Sequence, residues 1–185
     1  MNTGVALYLM LALLIAGLSM DKTLESEVQA STSDSREWRE AEVFPATREY
    51  QAPDFKAQSL DGEVIRLHDF HGQIVVLNFW ATWCPPCRKE VPSLIRLQNS
   101  FPEDLQVIGI SLDEPSALQQ VVHFQKEFDV TYPIVLDDGD VNELYGPLSV
   151  IPTTYIIDKK GNIAWYIPGY LSYARFEETI QMMLK

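Results

Sequence analysis

The chain has 185 residues, which is enough for one ordinary domain with an extension and short for two full domains. Hydrophobic residues make up 46% of it, a composition typical of a globular protein with a buried core. The formal net charge of -12 argues against nucleic-acid binding, because a phosphate backbone is bound by clustered Lys and Arg.

The first 20 residues carry no charged side chain, and residues 5–18 are almost wholly apolar. This length is near the lower limit for a membrane-spanning helix, which needs roughly 17–25 residues. A cleaved signal peptide is the alternative, with Gly17 and Ser19 as small residues at a processing site. Residues 1–20 are therefore predicted to be a membrane anchor or a signal peptide, and either one implies export.

Residues 21–46 mix Ser, Thr and charged residues without a sustained hydrophobic period, which predicts a flexible acidic linker. The folded domain is predicted over residues 47–185. Near its start, residues 54–67 carry Asp61-Gly62 between two short apolar stretches, a pattern typical of a β-hairpin. The continuous apolar run at 74–80 predicts a strand that is buried on both faces.

A helical pattern comes next, with Val91, Leu94 and Ile95 at spacings of three and four. Further strands are predicted at 105–112 and 132–136, with a helix between them. A second hairpin is predicted over 153–167, and a last helix closes the chain. Strands that alternate with helices and end in an antiparallel hairpin predict an α/β fold, with a mixed central sheet flanked by helices.

The chain's two cysteines, Cys84 and Cys87, are separated by two residues. No metal site is predicted, because a closed zinc site needs four ligands and the three histidines supply no evident second pair. Cys84 follows the buried strand and is expected at the N-terminus of the next helix, where free backbone N–H groups favour a thiolate. Cys84 is therefore the predicted nucleophile of disulfide exchange and Cys87 the resolving thiol. A metal half-site or an inert pair is the alternative.

The run at 78–92, NFWATWCPPCRKEVP, resembles the TlpA/ResA/DsbE-like branch of the thioredoxin superfamily. The similarity covers about residues 50–185, including Ala52–Phe55 and Val150–Thr153. It implies a thioredoxin-like fold with an N-terminal hairpin extension and a central insertion within residues 113–145. It also implies an enzyme, tethered or secreted outside the cytoplasm, that reduces disulfides in other proteins, often apocytochrome c during haem attachment.

The same resemblance assigns roles to residues around a redox-active Cys84-Cys87 disulfide. Pro152 matches a cis-proline that faces the cysteines, and Ile151 would offer its backbone to a bound substrate strand. Trp83 is expected to shield the pair and to form part of the docking surface.

Glu90 matches an acidic residue of this branch and is expected to raise thiol pKa values or to take a proton from Cys87. A solvated helix carboxylate is the alternative for Glu90. Asn78 stands where thioredoxin carries a buried Asp, which makes Glu90 the better candidate for proton handling.

The leading hypothesis is a protein-disulfide reductase without a cofactor, which receives electrons from a membrane thiol–disulfide donor and reaches the membrane through residues 1–20. A disulfide oxidase or isomerase would use the same cysteines in the opposite direction. A thiol peroxidase is less favoured, because peroxiredoxins carry a Thr three residues before the reactive Cys, where this chain has Ala81. The acidic residues at 137–140 are expected to form a solvated turn, since the remaining calcium ligands of an EF-hand are missing.

Overall fold

The computed structural model describes residues 39–46, 48 and 50–185, and a mixed sheet of six strands lies at the centre of this part of the chain. The described strands are β1 (Phe44–Pro45), β2 (Lys56–Gln58), β3 (Val64–Arg66), β4 (Ile74–Trp80), β5 (Leu105–Ser111), β6 (Ile134–Leu136), β7 (Thr153–Ile157) and β8 (Ile163–Pro168). The described α-helices are α1 (Pro85–Ser100), α2 (Leu118–Glu127), α3 (Asp140–Tyr145) and α4 (Tyr173–Met183). The predicted anchor or signal at 1–20 and most of the predicted linker lie outside the described residues.

The sheet has the order β1-β8-β7-β4-β5-β6, with β4, β5 and β6 parallel and β7, β8 and β1 joined by antiparallel pairing. All seven residues of β4 are buried, which confirms the prediction of a central strand from its unbroken apolar sequence. The antiparallel pair β2 and β3 forms the predicted hairpin around Asp61-Gly62, with Gly62 at a φ of +86°. The predicted α/β fold with a mixed central sheet is confirmed.

Alternation along the strands divides the core between two faces of the sheet. On the first, here called the α1 face, helices α1, α2 and α4 pack against Ile74, Val76 and Trp80 of β4. On the second, here called the hairpin face, the β2–β3 hairpin and α3 pack against Val75, Leu77 and Phe79 of the same strand. One strand therefore supports both halves of the core.

Two segments differ from the sequence-based expectations in ways that bear on the fold. Phe44 and Pro45, inside the range predicted as linker, pair with Tyr166 and Trp165 as an edge strand. In the acidic stretch at 137–140, Asp138 and Asp140 are exposed as expected, but Asp137 is buried and accepts hydrogen bonds from two backbone N–H groups in the first turn of α3. Asp137 thereby satisfies donors that a helix start otherwise leaves free.

Candidate active site

Cys84 and Cys87 lie where β4 gives way to α1. Cys84 is the N-cap residue of α1, Cys87 lies in its first turn, and a disulfide bond joins them. The backbone N–H of Cys87 donates to Sγ of Cys84 over 3.2 Å, while Pro85 and Pro86 occupy positions whose N–H groups would have no helical partner. In the dithiol form, the N-terminus of α1 favours a thiolate at Cys84.

The loop that precedes β7 reaches the disulfide directly. The carbonyl oxygen of Ile151 lies 3.7 Å from Sγ of Cys84, and the Ile151–Pro152 peptide bond is cis. The hydroxyl of Thr153 donates to the carbonyl of Val150 over 2.6 Å and fastens the loop across that bond. The structure thus brings the carbonyl of Ile151, next to the cis bond to Pro152, against the sulfur that the sequence marks as the nucleophile.

Glu90 is buried behind the cysteines, with only 1% of its surface exposed. Its Oε1 accepts a hydrogen bond from the backbone N–H of Leu171 over 2.7 Å, and its Oε2 accepts one from Nδ2 of Asn78 over 2.8 Å. The same Nδ2 donates to Oγ1 of Thr154 over 2.9 Å, so a buried chain of hydrogen bonds connects α1 with β4 and β7. Glu90 is therefore not a solvated helix carboxylate.

Burial raises the pKa of Glu90 to about 8, and the hydrogen bonds from Leu171 and Asn78 only partly oppose this rise. Burial, together with the nearby Glu90 carboxyl, also raises the pKa of Tyr132 above its ordinary range, so its phenol stays neutral. A carboxyl group with a pKa near that of an ordinary thiol, about 8.5, can exchange a proton with it at little cost. Glu90 lies three residues after Cys87 on α1 and therefore shares its helix face.

The surface beside the buried cysteines is apolar. Trp83 is 68% exposed although it precedes a cysteine that is almost fully buried, and Val150 is also exposed. Behind this surface, the guanidinium of Arg88 lies over the rings of Phe124 and Phe128 at 5.1 and 5.0 Å. These contacts hold the first turns of α1 against α2.

Three contributors to the site were not identified as such from sequence. Thr154 and the backbone of Leu171 complete the hydrogen bonds of Asn78 and Glu90, and they come from segments 76 and 81 residues away from their partners. Asp113, which is buried beside the loop that carries Cys84, is the third. The sequence does contain a signal for Asp113, because this charged residue follows directly after the strand predicted at 105–112. A charged group at the end of a buried strand needs hydrogen-bond partners.

Within the described residues, no group of three or more His, Cys, Asp or Glu side chains is arranged to hold a metal ion. Over the same part of the chain, every helix is too short or too polar to cross a membrane.

The sheet order and the cysteine pair at the start of α1 define the chain as a thioredoxin-fold thiol–disulfide oxidoreductase. Similarity to known proteins leads to the same class. A family model described as the AhpC/TSA family matches residues 49–166. The thioredoxin-like protein YneN of Bacillus subtilis (strain 168) is 38% identical over 133 residues, which are 71% of this chain and 78% of that protein.

Thiol-disulfide oxidoreductase ResA of Bacillus thuringiensis subsp. konkukian is 35% identical over 71% of this chain and 75% of its own. Among solved structures, a thiol:disulfide interchange protein of the thioredoxin family from Chlorobium tepidum TLS is similar with a TM-score of 0.69 and 29% identity. That similarity covers 76% of this chain and 99% of the other. The chain belongs to the AhpC/TSA family, and within it to the thiol–disulfide oxidoreductases of the ResA and DsbE type.

Proposed function

We propose that the chain is an extracytoplasmic protein-disulfide reductase that acts through Cys84 and Cys87. The observation that carries this proposal is the buried carboxyl of Glu90 behind the cysteine pair that opens α1. A strong disulfide oxidant depends on a stabilised reduced form. Cys87 is itself almost fully buried, and burial of a thiol away from water disfavours its thiolate, which supports the reducing direction.

The proposed reaction transfers two electrons to a protein disulfide. The Cys84 thiolate attacks one sulfur of the substrate disulfide, forms a mixed disulfide and releases the other sulfur as a thiolate. Glu90 takes the proton of Cys87, whose thiolate attacks Sγ of Cys84 and releases the second substrate sulfur. Protons from Glu90 and solvent convert both leaving thiolates to thiols, and the Cys84-Cys87 disulfide remains for a membrane thiol–disulfide donor to reduce.

Substrate binding is proposed at the apolar rim of the disulfide. The backbone of Ile151 lies against Cys84 and can pair with an extended substrate segment, while Pro152 limits how that segment approaches. Trp83 supplies exposed apolar area on which the substrate packs. An unfolded polypeptide such as apocytochrome c, with its cysteines in an extended segment, fits this surface.

The extracytoplasmic location is proposed from the uncharged residues 1–20, which act as an anchor or an export signal, and from the polar stretch that follows them. Fractionation of cells, with N-terminal sequencing of the mature chain, separates the two. An intact N-terminus in the membrane fraction supports the anchor, a shortened chain in the exported fraction supports the signal, and an intact chain in the cytoplasm contradicts both.

Two measurements test the activity. The Cys87→Ser variant is expected to accumulate mixed disulfides through Cys84, which mass spectrometry identifies, while Cys84→Ser traps none. The reduction potential is measured against a thiol–disulfide buffer, and a value near the oxidising extreme of about -120 mV would contradict the reductase direction and favour an oxidase. Rapid consumption of hydrogen peroxide by Cys84, with slow disulfide exchange, would instead favour a thiol peroxidase.

A further inference from the structure

Asp113 lies two residues after the end of β5 and is only 4% exposed. Its Oδ2 accepts hydrogen bonds from the backbone N–H of Thr82 over 2.9 Å and from the hydroxyl of Ser111 over 2.8 Å. Its Oδ1 accepts a hydrogen bond from the hydroxyl of Thr82 over 2.6 Å. One carboxylate therefore accepts from both hydrogen-bond donors of Thr82, the residue two positions before Cys84.

A carboxylate suits this position because all three of its partners are donors. An ionised Asp accepts on both oxygens, whereas an Asn would turn an NH₂ group toward a donor and lose at least one of the bonds. Among the described residues Asp113 forms no ion pair with Lys, Arg or His, so hydrogen bonds alone compensate for its burial. A buried acid without a cationic partner is costly in a protein core, so the hydrogen bonds from Thr82 and Ser111 are what hold Asp113 in this place.

The bonds to Thr82 fix the turn between β4 and α1. The carbonyl of Trp80 accepts from the N–H of Leu112 over 2.8 Å, and the carbonyl of Ala81 accepts from the N–H of Cys84 over 3.2 Å. Between these two points, Asp113 ties Thr82 to the end of β5. The start of α1 is thereby held at a set position relative to the sheet.

We propose that Asp113 is a positioning residue for disulfide exchange, which acts through Thr82 to hold Cys84 at the start of α1 and beside Ile151. Sγ of Cys84 lies 3.7 Å from the carbonyl oxygen of Ile151, where a substrate strand is proposed to bind, so a small shift of the turn displaces the nucleophile from its partner. Misplacement of a reacting group by about 1 Å costs up to roughly a hundredfold in rate. This inference rests on thiol–disulfide exchange at Cys84 and holds for either direction of electron flow.

The test measures the rate at which the reduced full-length chain, in detergent, reacts with the small aromatic disulfide 5,5′-dithiobis(2-nitrobenzoate). Asp113→Asn is expected to slow this reaction roughly tenfold. Thr82→Val, which removes only the hydroxyl, is expected to slow it about threefold, whereas Thr82→Ser retains the hydroxyl and stays within about twofold of wild type. The double variant Asp113→Asn/Thr82→Val is expected to react no more slowly than Asp113→Asn alone, because the two residues act as one unit.

Asp137→Asn is the matched control. Asp137 is also a buried acid that accepts hydrogen bonds from backbone N–H groups, but the groups that its carboxylate holds belong to the first turn of α3 and not to the turn that carries Cys84. Its replacement is expected to lower the thermal unfolding midpoint and to leave the exchange rate within about twofold of wild type. Equal slowing in Asp137→Asn, or a wild-type rate in folded Asp113→Asn, overturns the proposal.

If Asp113→Asn does not fold, the two Thr82 variants test whether the contact between Asp113 and Thr82 positions Cys84. A Thr82→Val chain that reacts as fast as Thr82→Ser contradicts the proposal, and a slow Thr82→Val chain with normal Thr82→Ser supports it. A wild-type chain that reacts with the small disulfide but reduces no protein disulfide contradicts the proposed reductase function and leaves the proposal for Asp113 standing. The small-disulfide rates of the variants still test Asp113 in that case.

Discussion

The two faces of the sheet differ sharply in what they bury. The α1 face holds the disulfide and, next to it, the buried polar side chains of Glu90, Asn78 and Thr154. The hairpin face holds a cluster of aromatic rings, in which Phe79 lies 5.5 Å from Tyr145 and 6.0 Å from Tyr155 between ring centroids. The two tyrosine hydroxyls donate to the backbone carbonyls of Pro53 and Tyr145, so neither of them needs a charged partner.

The difference arises within one strand. Successive residues of β4 point to opposite faces, so Phe79 belongs to the aromatic cluster while Asn78 and Trp80 face α1. Apolar contacts on the hairpin face stabilise the fold, and the α1 face carries a buried carboxyl that costs free energy at neutral pH. Changes on the two faces should therefore affect different properties of the protein.

The largest expected effect on stability comes from the hairpin face. Phe79→Ala removes a fully buried ring and is expected to lower the free energy of unfolding by about 3–5 kcal/mol, as measured by urea denaturation. The reduction potential of the folded variant should stay unchanged, because the ring contacts neither cysteine nor Glu90. A shift of about 30 mV or more, equivalent to a tenfold change in the exchange equilibrium, would show that the two faces are coupled.

Glu90→Gln tests the buried carboxyl of the α1 face through the pH dependence of the free energy of unfolding. The folded chain raises the pKa of Glu90 to about 8. An unfolded chain releases this proton near pH 4.3, so the folded state binds more protons between about pH 4.3 and about pH 8. The free energy of unfolding of the wild type should therefore fall as pH rises through this window and level off above it. The Gln variant, which does not titrate, should lack this part of the fall.

Urea denaturation at pH 5, 7 and 9 measures this difference, and Glu127→Gln is the control. Glu127 is an exposed carboxylate paired with Arg88, and loss of such a pair typically costs under about 1 kcal/mol. Glu127→Gln should therefore retain the fall seen in the wild type. Parallel profiles for the wild type and Glu90→Gln would contradict the assignment of a proton to the buried carboxyl.

The parts of the structure that sequence could predict depend on local patterns. The unbroken apolar run at 74–80 marks a strand buried on both faces, and a cysteine after such a strand falls naturally at the start of the next helix. Asp61-Gly62 marks the hairpin because its turn requires a positive φ at Gly62. These features need only neighbours along the chain, so periodicity and turn chemistry identify them.

The remainder depends on contacts between distant segments. The burial of Glu90 requires the N–H of Leu171, 81 residues away, and no pattern around Glu90 contains that information. Helix α3 is only six residues long, which is less than two turns and too short to show a helical hydrophobic period, so its sequence resembles a turn. Asp137 accepts hydrogen bonds from the first turn of this helix, and without the helix a sequence of three nearby acids predicts exposure to solvent.

The smallest effect on stability is expected at Trp83, on the rim of the disulfide. Because the side chain is 68% exposed, Trp83→Ala should change the free energy of unfolding by no more than about 0.5 kcal/mol. It should still raise KM for a protein disulfide several-fold, since a large rigid aromatic ring supplies much of the contact area of a small interface. Steady-state reduction of a protein disulfide, compared with reduction of a small one, separates substrate docking from chemistry.

Tyr50→Ala is the matched control for Trp83→Ala. Tyr50 is 64% exposed, and its backbone carbonyl accepts a hydrogen bond from Ile163. This places Tyr50 near the start of β4, whereas the cysteines follow the end of that strand. Its loss should leave both KM and stability at wild-type values. If the two variants raise KM equally, the effect is general to exposed aromatic rings. If Trp83→Ala lowers kcat for the small disulfide as well, Trp83 acts on the chemistry, and docking alone does not describe its role.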